Sequence, residues 1–322
     1  MSRALVTGGS GFIGSHLAER LLEDGMEVVV YDNFSTGQRR FVEALERSSG
    51  ATIVEGDVLD TPLLTRTLSG CDIVFHLAAN ADVRFGLDHP SRDFRQNAQA
   101  TFEVLEAMRA SGVRRIVLAS SGSVYGEPDV FPTPENCPFP IQTSPYGASK
   151  LAAEGLIEAY CEGYGFTGII LRFVSILGER YSHGHLFDFY GSLRRDPTSL
   201  TVLGDGRQRK SYLYVGDCID AVKLLVDRHG EPGVWIYNLG TDEVTTVDWS
   251  VQTICAHLRV EPRVVHTGGE RGWVGDSPLI HLDCSRLRAL GWEPSHSIAD
   301  AVDRTLKWFE ENDWIFESRG SR

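Results

Sequence analysis

The sequence predicts an α/β protein in which a doubly wound parallel sheet is joined to a smaller C-terminal α/β lobe. Three observations support this fold class: short apolar segments alternate with helical patterns, a glycine-rich turn follows the first segment, and the alternation stops after about residue 174. Apolar strands that alternate with helices indicate a parallel sheet with crossover helices. We therefore expect a first domain over residues 1–174, an interleaved lobe over 175–316, and a tail over 317–322.

Each strand expected in the first domain is a short apolar run between polar or glycine residues. The six strands are Ala4–Val6, Val28–Tyr31, Thr52–Val54, Ile73–His76, Ile116–Ala119 and Gly168–Arg172. Helical periodicity predicts helices between them, most clearly at Asp93–Ser111 and Tyr146–Gly163. The lobe is expected to contain helices at Val215–Arg228, Val247–Leu258 and Ile298–Glu311, and the tail to be disordered.

Composition and charge limit the classes of partner. The chain has 322 residues, of which 42% are hydrophobic and 23% charged, and its net charge of −13 argues against nucleic acid. No apolar run reaches membrane-spanning length, and no signal peptide precedes the first strand, so we expect no membrane partner. The six cysteines are scattered without metal-ligand spacing, which predicts reduced thiols, no metal site and a cytoplasmic protein.

The glycine-rich turn predicts a dinucleotide site of the Rossmann type. Gly8, Gly11 and Gly14 follow a strand and open a helix at Phe12 and Ile13, which allows a pyrophosphate to approach the helix N-terminus. Asp32 ends the second strand, where its carboxylate can bind ribose hydroxyls and repel a 2′-phosphate. The predicted cofactor is therefore NAD rather than NADP, and the alternative is a glycine-rich turn without a ligand.

Two polar segments predict catalytic chemistry. Tyr146 and Lys150 lie one helical turn apart, so the ammonium is expected to lower the pKa of the phenol and make Tyr146 a general base. Ser120, Ser121 and Ser123 follow the fifth strand, at the sheet edge where cofactors bind, and Ser121 or Ser123 can share the reacting proton. The alternatives are a solvated helix pair and a polar turn that caps a strand.

The motifs TGGSGFIG, DNFSTG, HLAA, SSGSVYGE, SPYGASK and GERGWVGD occur in one order along nearly the whole chain. In this order they resemble the extended short-chain dehydrogenases/reductases of the NAD-dependent epimerase/dehydratase family, and among them the UDP-glucose (UDP-galactose) 4-epimerases. The resemblance implies that Asp57 brackets the adenine and that Asn97 holds the sheet edge, although a turn acid and a structural helix residue are the alternatives. Besides Gly8, Gly11, Phe12, Ile13, Gly14 and Asp32 of the dinucleotide site, the implied cofactor contacts are Asn33, Ser35, Thr36, Gly37, Asp57, Val58, Leu77, Ala78, Ala79, Asn97, Ser120, Tyr146 and Lys150.

Within the family, Gly122 and Ser123 discriminate between reactions. Dehydratases that resemble this chain carry an Asp-Glu pair there, and decarboxylating relatives carry Glu at the position of Ser123; neither acid is present. Hydroxyl groups suffice for oxidising a carbinol and reducing the ketone back, which implies epimerisation through a 4-keto sugar. The alternatives are a UDP-glucuronate 4-epimerase, a nucleotide-sugar oxidoreductase, and a non-catalytic dinucleotide sensor.

The resemblance places the substrate contacts in the C-terminal lobe. Lys210 stands where relatives have a diphosphate-binding Arg, Arg209 is the alternative, and Arg271 is expected to be a second diphosphate ligand. Ser175 replaces the usual Asn and resembles the Thr of uronic-acid epimerases. The implied substrate set is Ser121, Tyr146, Ser175, His185, Leu203, Arg209, Lys210, Tyr212, Arg271 and Asp276.

Some of these contacts have open alternatives. Tyr212 and Leu203 flank the uracil or belong to the core, and Trp273 is expected to pack within the lobe. Donor groups at Arg84, His183 and His185 favour a carboxylate at carbon 6 and thus UDP-glucuronate, unless the histidines are packing residues. The resemblance also implies a homodimer built on Asp93–Ser111 and Tyr146–Gly163, in which apolar residues face a partner or the protein's own sheet: Leu151, Leu156, Ile157 and Tyr160.

Overall fold

Strands and helices alternate through residues 2–80, 85–138 and 141–317, which the computed structural model describes. The strands are β1 (Arg3–Thr7), β2 (Glu27–Asp32), β3 (Ala51–Glu55), β4 (Ile73–His76), β5 (Arg115–Ala119), β6 (Thr167–Phe173), β7 (Ser175–Leu177), β8 (Ser199–Val202), β9 (Arg209–Lys210), β10 (Tyr212–Tyr214), β11 (Gly233–Leu239), β12 (Thr245–Thr246), β13 (Arg263–His266) and β14 (Leu279–Ile280).

The helices follow the same chain order, with short 3-10 turns at Arg39–Phe41 and Gly122–Tyr125 and a π-helical turn at Phe94–Gln99. They are α1 (Phe12–Glu23), α2 (Glu43–Glu46), α3 (Thr61–Thr67), α4 (Phe85–Asp88), α5 (Pro90–Asp93), α6 (Ala100–Ser111), α7 (Pro145–Tyr164), α8 (His185–Arg195), α9 (Val215–Arg228), α10 (Val247–Leu258), α11 (Ser285–Arg288), α12 (Ile298–Glu311) and α13 (Trp314–Glu317).

The main sheet has seven parallel strands in the order β11-β6-β5-β4-β1-β2-β3. Its middle strands are apolar on both faces, and Ala4, Leu5 and Val6 of β1 are fully buried. Successive residues pack into two different cores, because side chains of a strand alternate between faces: Ala4 and Val6 belong to one core and Leu5 to the other. The doubly wound parallel sheet expected from the sequence is confirmed.

Six of the seven strands were predicted, each within one residue of its observed ends. The missed strand is β11, which pairs with β6 over its whole length from Gly233↔Thr167 to Leu239↔Phe173. The sequence pattern favours the lobe for this segment, because the alternation of strands and helices breaks before the preceding helix, α9. The structure instead uses α9 as the crossover between β6 and β11, and packs it against α1.

The helix predictions differ from the structure mainly at one place. The bounds of α9, α10 and α12 agree, and α7 extends one residue beyond each expected end. The helix expected over Asp93–Ser111 is interrupted by the π-helical turn at Phe94–Gln99 before α6 begins. Glu317, expected to start the tail, is instead the last residue of α13, and residues 318–322 lie outside the described residues.

The C-terminal lobe contains small sheets: β7 pairs with β10, β9 with β12 and β14, and β8 with β13. The segment after β5 also joins this lobe. The backbone of Thr133 donates to His281 and accepts from Asp283, so a chain segment that leaves the main sheet is bonded to the lobe. These hydrogen bonds hold the lobe against the segment that follows the end of β5.

Three further properties concern function. Within the described residues, no helix is both long enough and apolar enough to cross a membrane. All six cysteines have free thiols. The described part of the chain also contains no group of three or more His, Cys, Asp or Glu side chains able to hold a metal ion.

Candidate active site

The strand order reverses between β1 and β4, and ligands of open α/β sheets bind in the crevice at such a point. The glycine turn after β1 faces the segment after β4 here. Gly8 has φ +66°, and a Cβ on it would lie 2.7 Å from the backbone nitrogen of Ala78. A Cβ on Gly14 would lie 2.2 Å from the carbonyl oxygen of Gly8. Both positions therefore require glycine, as the sequence analysis expected.

The N-terminus of α1 is suited to an anion. Its N-cap is Gly11, which provides no side-chain hydrogen bond, so the N–H groups of the first turn remain available for a phosphate. Ser10 Oγ is buried beside this turn and has no hydrogen-bond partner among the residues that the structure describes. An open helix end, a cradle without side chains and a buried hydroxyl fit the pyrophosphate of a dinucleotide.

Asp32 is held rigidly where β2 ends. Its carboxylate accepts hydrogen bonds from the backbone N–H of Ser10 at 3.0 Å and of Phe34 at 2.8 Å. A Cβ on Gly37 would lie 3.1 Å from both carboxylate oxygens, so this glycine leaves space beside the acid. Asn33 donates to Asp57 at 3.0 Å, which places the two predicted adenosine contacts at the same edge. The carboxylate of Asp32 fits a ribose hydroxyl pair and disfavours a 2′-phosphate.

Asn97 connects the segment after β4 to α7, the helix that carries Tyr146 and Lys150. Asn97 lies in the π-helical turn and is buried; its side chain accepts from the backbone of Asn80 at 2.9 Å and donates to Ser149 Oγ at 2.9 Å. Ser149 Oγ in turn donates to the carbonyl oxygen of Tyr146 at 2.8 Å. These contacts describe a structural residue that orients α7, and they also fix the segment that carries Ala78 and Ala79.

Tyr146 and Lys150 lie on one face of α7. The helix begins with Ser144 as its N-cap, whose side chain accepts from Gly147 at 3.0 Å, and Pro145 follows. Tyr146 is 8% exposed and Lys150 is 4% exposed, so both polar groups are buried at the end of β5. Lys150 Nζ donates to the carbonyl oxygen of Ala119 at 2.8 Å. A solvated helix pair, the alternative considered from the sequence, is inconsistent with this burial.

The expectation that the Lys150 ammonium lowers the pKa of the Tyr146 phenol is wrong for the protein without bound ligands. Burial raises the pKa of Tyr146 to about 12, a hydrogen bond with Ser121 opposes this rise, and Asp93 adds to it. Burial lowers the pKa of Lys150 to about 8, while the charges of Glu154 and Asp93 act in the opposite direction. The desolvation of the phenolate therefore sets the direction of this pKa shift, and it depends on tertiary packing rather than on sequence spacing.

The serine segment after β5 contacts Tyr146 and Lys150. Ser121 Oγ donates to Ser123 Oγ at 3.2 Å and accepts from the backbone of Ser123 at 3.1 Å, which forms the cap of the 3-10 turn. The same side chain is bonded to Tyr146. Ser120 is buried and donates to Glu154 instead. Ser121 is therefore the serine that the structure brings to the phenol. Ser123 is linked to the phenol only through its hydrogen bond with Ser121.

Several buried polar residues near this site were missed by the sequence analysis. Glu154 continues the four-residue spacing of Tyr146 and Lys150, a signal that was present in the sequence. Others gave no pattern because their partners are far away in sequence. They are His76, bonded to Thr7 and Thr101; Asp93, bonded to Asn80; Arg172, paired with Glu154; and Asn238, bonded to Tyr125.

The predicted diphosphate ligands are in different environments. Lys210 Nζ donates to Asp276 Oδ1 at 2.8 Å and to the carbonyl oxygen of Ser277, so the lobe already neutralises its charge. Arg209 is exposed. Arg271, half exposed, forms an ion pair with Glu127 just beyond the serine segment. Arg271 thus reaches across from the lobe to the segment after β5, whereas Lys210 and Asp276 are bonded within the lobe.

The remaining substrate-side residues divide between core and surface. Tyr212 is 1% exposed and its hydroxyl contacts His185, so of its two alternatives the structure supports a place in the core rather than beside a base. His185 is also bonded to Ser250 at 3.2 Å, and burial lowers its pKa to about 3. Ser175 and Leu203 are exposed, and Trp273 is partly buried. Arg84 lies outside the described residues.

The comparisons with known proteins identify the family. Residues 4–240 match the NAD dependent epimerase/dehydratase family. The chain belongs to this family. The resemblance and the NAD cofactor expected from the sequence are thereby confirmed.

Relatives in this family cover almost the whole chain. The UDP-glucose 4-epimerase of Mycolicibacterium smegmatis is 34% identical over 316 residues, which are 95% of this chain and 98% of that protein. A crystal structure of UDP-galactose 4-epimerase is 37% identical with a TM-score of 0.86, and covers 97% of this chain and 100% of its own. A crystal structure of DesIV, a dTDP-glucose 4,6-dehydratase from Streptomyces venezuelae with NAD and TYD bound, is 29% identical with a TM-score of 0.88. The match covers 97% of this chain and 98% of the DesIV chain.

Proposed function

We propose that this protein is an NAD-dependent nucleotide-sugar 4-epimerase that interconverts UDP-glucose and UDP-galactose through a 4-keto sugar. The observation that carries the proposal is a buried Tyr146 bonded to Ser121, beside a turn that carries no acid at Gly122 and Ser123. A Cβ on Gly122 would lie 3.3 Å from the carbonyl oxygen of Phe173 and 3.4 Å from Leu282, so the turn leaves little room for an acidic side chain there. Relatives named as epimerases of these two sugars support the same reaction.

The proposed chemistry follows from the protonation of the buried groups. NAD, when bound, supplies a reversible hydride acceptor and a positively charged ring. The positive charges of the bound NAD ring and of Lys150 would favour the phenolate form of Tyr146, whose Oη would then receive the proton of the sugar 4-hydroxyl and later return it to the ketone oxygen, with Ser121 as the neighbour that shares it. Lys150 carries an ammonium below about pH 8, and this charge favours the phenolate form of Tyr146 during the transfer.

The epimerase proposal has a direct test. Purified protein is offered UDP-glucose, UDP-galactose or UDP-glucuronate without added NAD, and products are separated by chromatography. We expect interconversion of the two hexoses with cofactor retained on the protein. Turnover of UDP-glucuronate alone would favour the uronate epimerase, net release of reduced cofactor would indicate an oxidoreductase, and retained cofactor without any turnover would indicate a dinucleotide sensor.

We also propose that Arg271 is the main diphosphate ligand, because its partner Glu127 is exposed and replaceable, whereas Lys210 is bonded inside the lobe. Arg271→Ala is expected to raise KM for UDP-glucose by about 10- to 100-fold with a smaller effect on kcat, as for loss of a charged hydrogen bond. Initial rates over a range of substrate concentration measure both constants. Arg209→Ala is the matched control, and a larger KM in that variant would reverse the assignment.

We further propose a cytoplasmic homodimer that uses the helices α6 and α7. Of the two alternatives that the sequence leaves open, Ile157 and Tyr160 follow the second, since both are buried in the protein's own core. The exposed apolar residues of this surface are instead Phe94, 60% exposed, and Phe102, 42% exposed. Exposed aromatic side chains are the groups that a partner subunit would cover at a protein interface.

Phe102→Glu is expected to convert the dimer to monomer, because a charge replaces an aromatic group at the centre of the proposed interface. Light scattering coupled to gel filtration measures the mass directly. Val265→Glu, at a site 41% exposed on β13, is the control and should leave the mass unchanged. A wild-type protein that elutes as a monomer at all concentrations would contradict the proposal.

A further inference from the structure

A buried ion pair lies one helical turn beyond Lys150, and the proposed reaction uses neither member. Glu154 on α7 pairs with Arg172 on β6; their side chains are 1% and 9% exposed. Arg172 Nη2 lies 2.7 Å from Glu154 Oε2, and its Nε lies 3.1 Å from Oε1. The geometry is bidentate, the form in which a guanidinium and a carboxylate bind most strongly.

Glu154 also holds the serine segment. Its Oε1 accepts a hydrogen bond from Ser120 Oγ. The residue before Ser120 is Ala119, whose carbonyl oxygen accepts from Lys150, and the residue after it is Ser121, which is bonded to Tyr146. One carboxylate therefore anchors the middle of a three-residue segment whose two outer members contact the catalytic pair.

Arg172 extends the network toward the C-terminal lobe. Its Nη1 donates to the hydroxyl of Tyr125 at 2.8 Å and to the carbonyl oxygen of Glu135 at 3.1 Å. Tyr125 donates to the side chain of Asn238 on β11 at 2.7 Å, and Asn238 donates to the carbonyl oxygens of Thr133 and Asp283. The pair thus connects the catalytic helix to the segment that is bonded to the lobe.

Burial of two charges argues against a role in stability alone. The desolvation of a buried ion pair offsets much of its attraction, and apolar residues of similar volume are often equally stable there. The pair is explained better by what it positions, here the Ala119–Ser121 backbone that contacts Lys150 and Tyr146. Its hydrogen bonds are directional, so they specify the segment's place in a way that apolar packing does not.

We propose that Glu154 and Arg172 are positioning residues, which hold Ala119–Ser121 so that the Ser121 hydroxyl and the Lys150 ammonium stay aligned with the Tyr146 oxygen. The inference rests on the proposed catalytic roles of Tyr146 and Lys150. The pair acts through the serine segment and contacts neither catalytic side chain in a hydrogen bond among the described residues.

The charged groups around Lys150 give the inference a measurable consequence. The charges are those of Glu154 on the same helix and Asp93 on α5. His76 on β4 also faces Lys150, but it is neutral because burial lowers its pKa to about 3. The two carboxylates raise the pKa of Lys150 against the effect of burial. Loss of the Glu154 charge therefore lowers the pKa of Lys150 further, so the ammonium is lost at lower pH.

The experiment compares Glu154→Gln, the double variant Glu154→Gln with Arg172→Met, and the control Glu158→Gln, which removes a carboxylate one turn further along α7. We expect the alkaline limb of the pH profile of kcat/KM to shift to lower pH by about one unit in the first two proteins only. The double variant leaves no unpaired buried guanidinium, so it remains folded if the single variant does not. A folded double variant with the wild-type profile would overturn the inference.

Two further measurements separate this inference from the proposed function. The tyrosinate absorbance of each protein, minus that of the same protein carrying Tyr146→Phe, reports the pKa of Tyr146 without any turnover, and we expect it to rise in both Glu154 variants. Ser120→Ala keeps the ion pair and should lower kcat by about 10-fold through misplacement of Ser121. Absence of epimerisation in the wild type would refute the function alone, whereas an unchanged tyrosinate titration would refute the positioning role.

Discussion

Tyr146→Phe is expected to lower kcat for the interconversion of UDP-glucose and UDP-galactose by about two to four powers of ten, as for loss of a positioned acid/base group. The variant removes only the hydroxyl, and Tyr146 packs at 8% exposure, so its ring and the helix should stay in place. Steady-state rates measure the effect. Bound cofactor and melting temperature, measured on the same samples, should stay close to those of the wild type.

Tyr164→Phe provides a matched control for this prediction. Tyr164 is the last residue of the same helix and is 52% exposed, so the loss of its hydroxyl should leave kcat unchanged. Near-wild-type turnover in Tyr146→Phe would remove Tyr146 from the proposed role. An equal loss in both variants would show that the helix, rather than the catalytic hydroxyl, had been disturbed.

The second large effect is expected for Gly14→Ala, which should abolish retention of NAD. The new Cβ would lie 2.2 Å from the carbonyl oxygen of Gly8 and 2.8 Å from the Cα of Gly9, both backbone atoms. The helix must then move away from the turn that binds pyrophosphate, at a cost to stability of about 1–3 kcal/mol, as for other overpacked sites. Cofactor content after gel filtration and the melting temperature test the two parts of this prediction.

Gly163→Ala tests whether the loss is specific to the turn. A Cβ there meets no atom within 4 Å, and its residue lies inside α7, so the substitution should stabilise the helix by about 0.5–1 kcal/mol. We expect this variant to retain its cofactor. Retention of cofactor by Gly14→Ala as well would show that α1 does not need to approach the turn closely.

The parts of the fold that follow local patterns were predictable. Strand and helix periodicity located six strands of the sheet, and glycine spacing located the dinucleotide turn, since both depend on neighbouring residues. β11 was missed because its membership of the sheet is decided by pairing with β6, more than sixty residues earlier, as the register Leu239↔Phe173 illustrates. Long-range pairing leaves little trace in a single sequence.

In the candidate site, too, local spacing reveals some residues, whereas properties that depend on tertiary packing cannot be predicted. Tyr146 and Lys150 could be found from their spacing, but the pKa of the phenol could not, because it depends on how completely the folded chain excludes water. Lys210 was predicted as a diphosphate ligand, but its partner Asp276 lies sixty-six residues later and could not be predicted from local sequence. Glu154 could have been found, since it repeats the same four-residue interval, and only its burial distinguishes it from a surface carboxylate.

The late position of β11 affects how the protein is made. On the ribosome, β6 emerges with residue 173, yet its outer neighbour is complete only at residue 239. Until then the nascent chain presents an unpaired strand edge, the kind of surface on which foreign strands add and aggregates begin. A ribosome that stalls between these two points would therefore hold a cofactor-binding half that is open along one side.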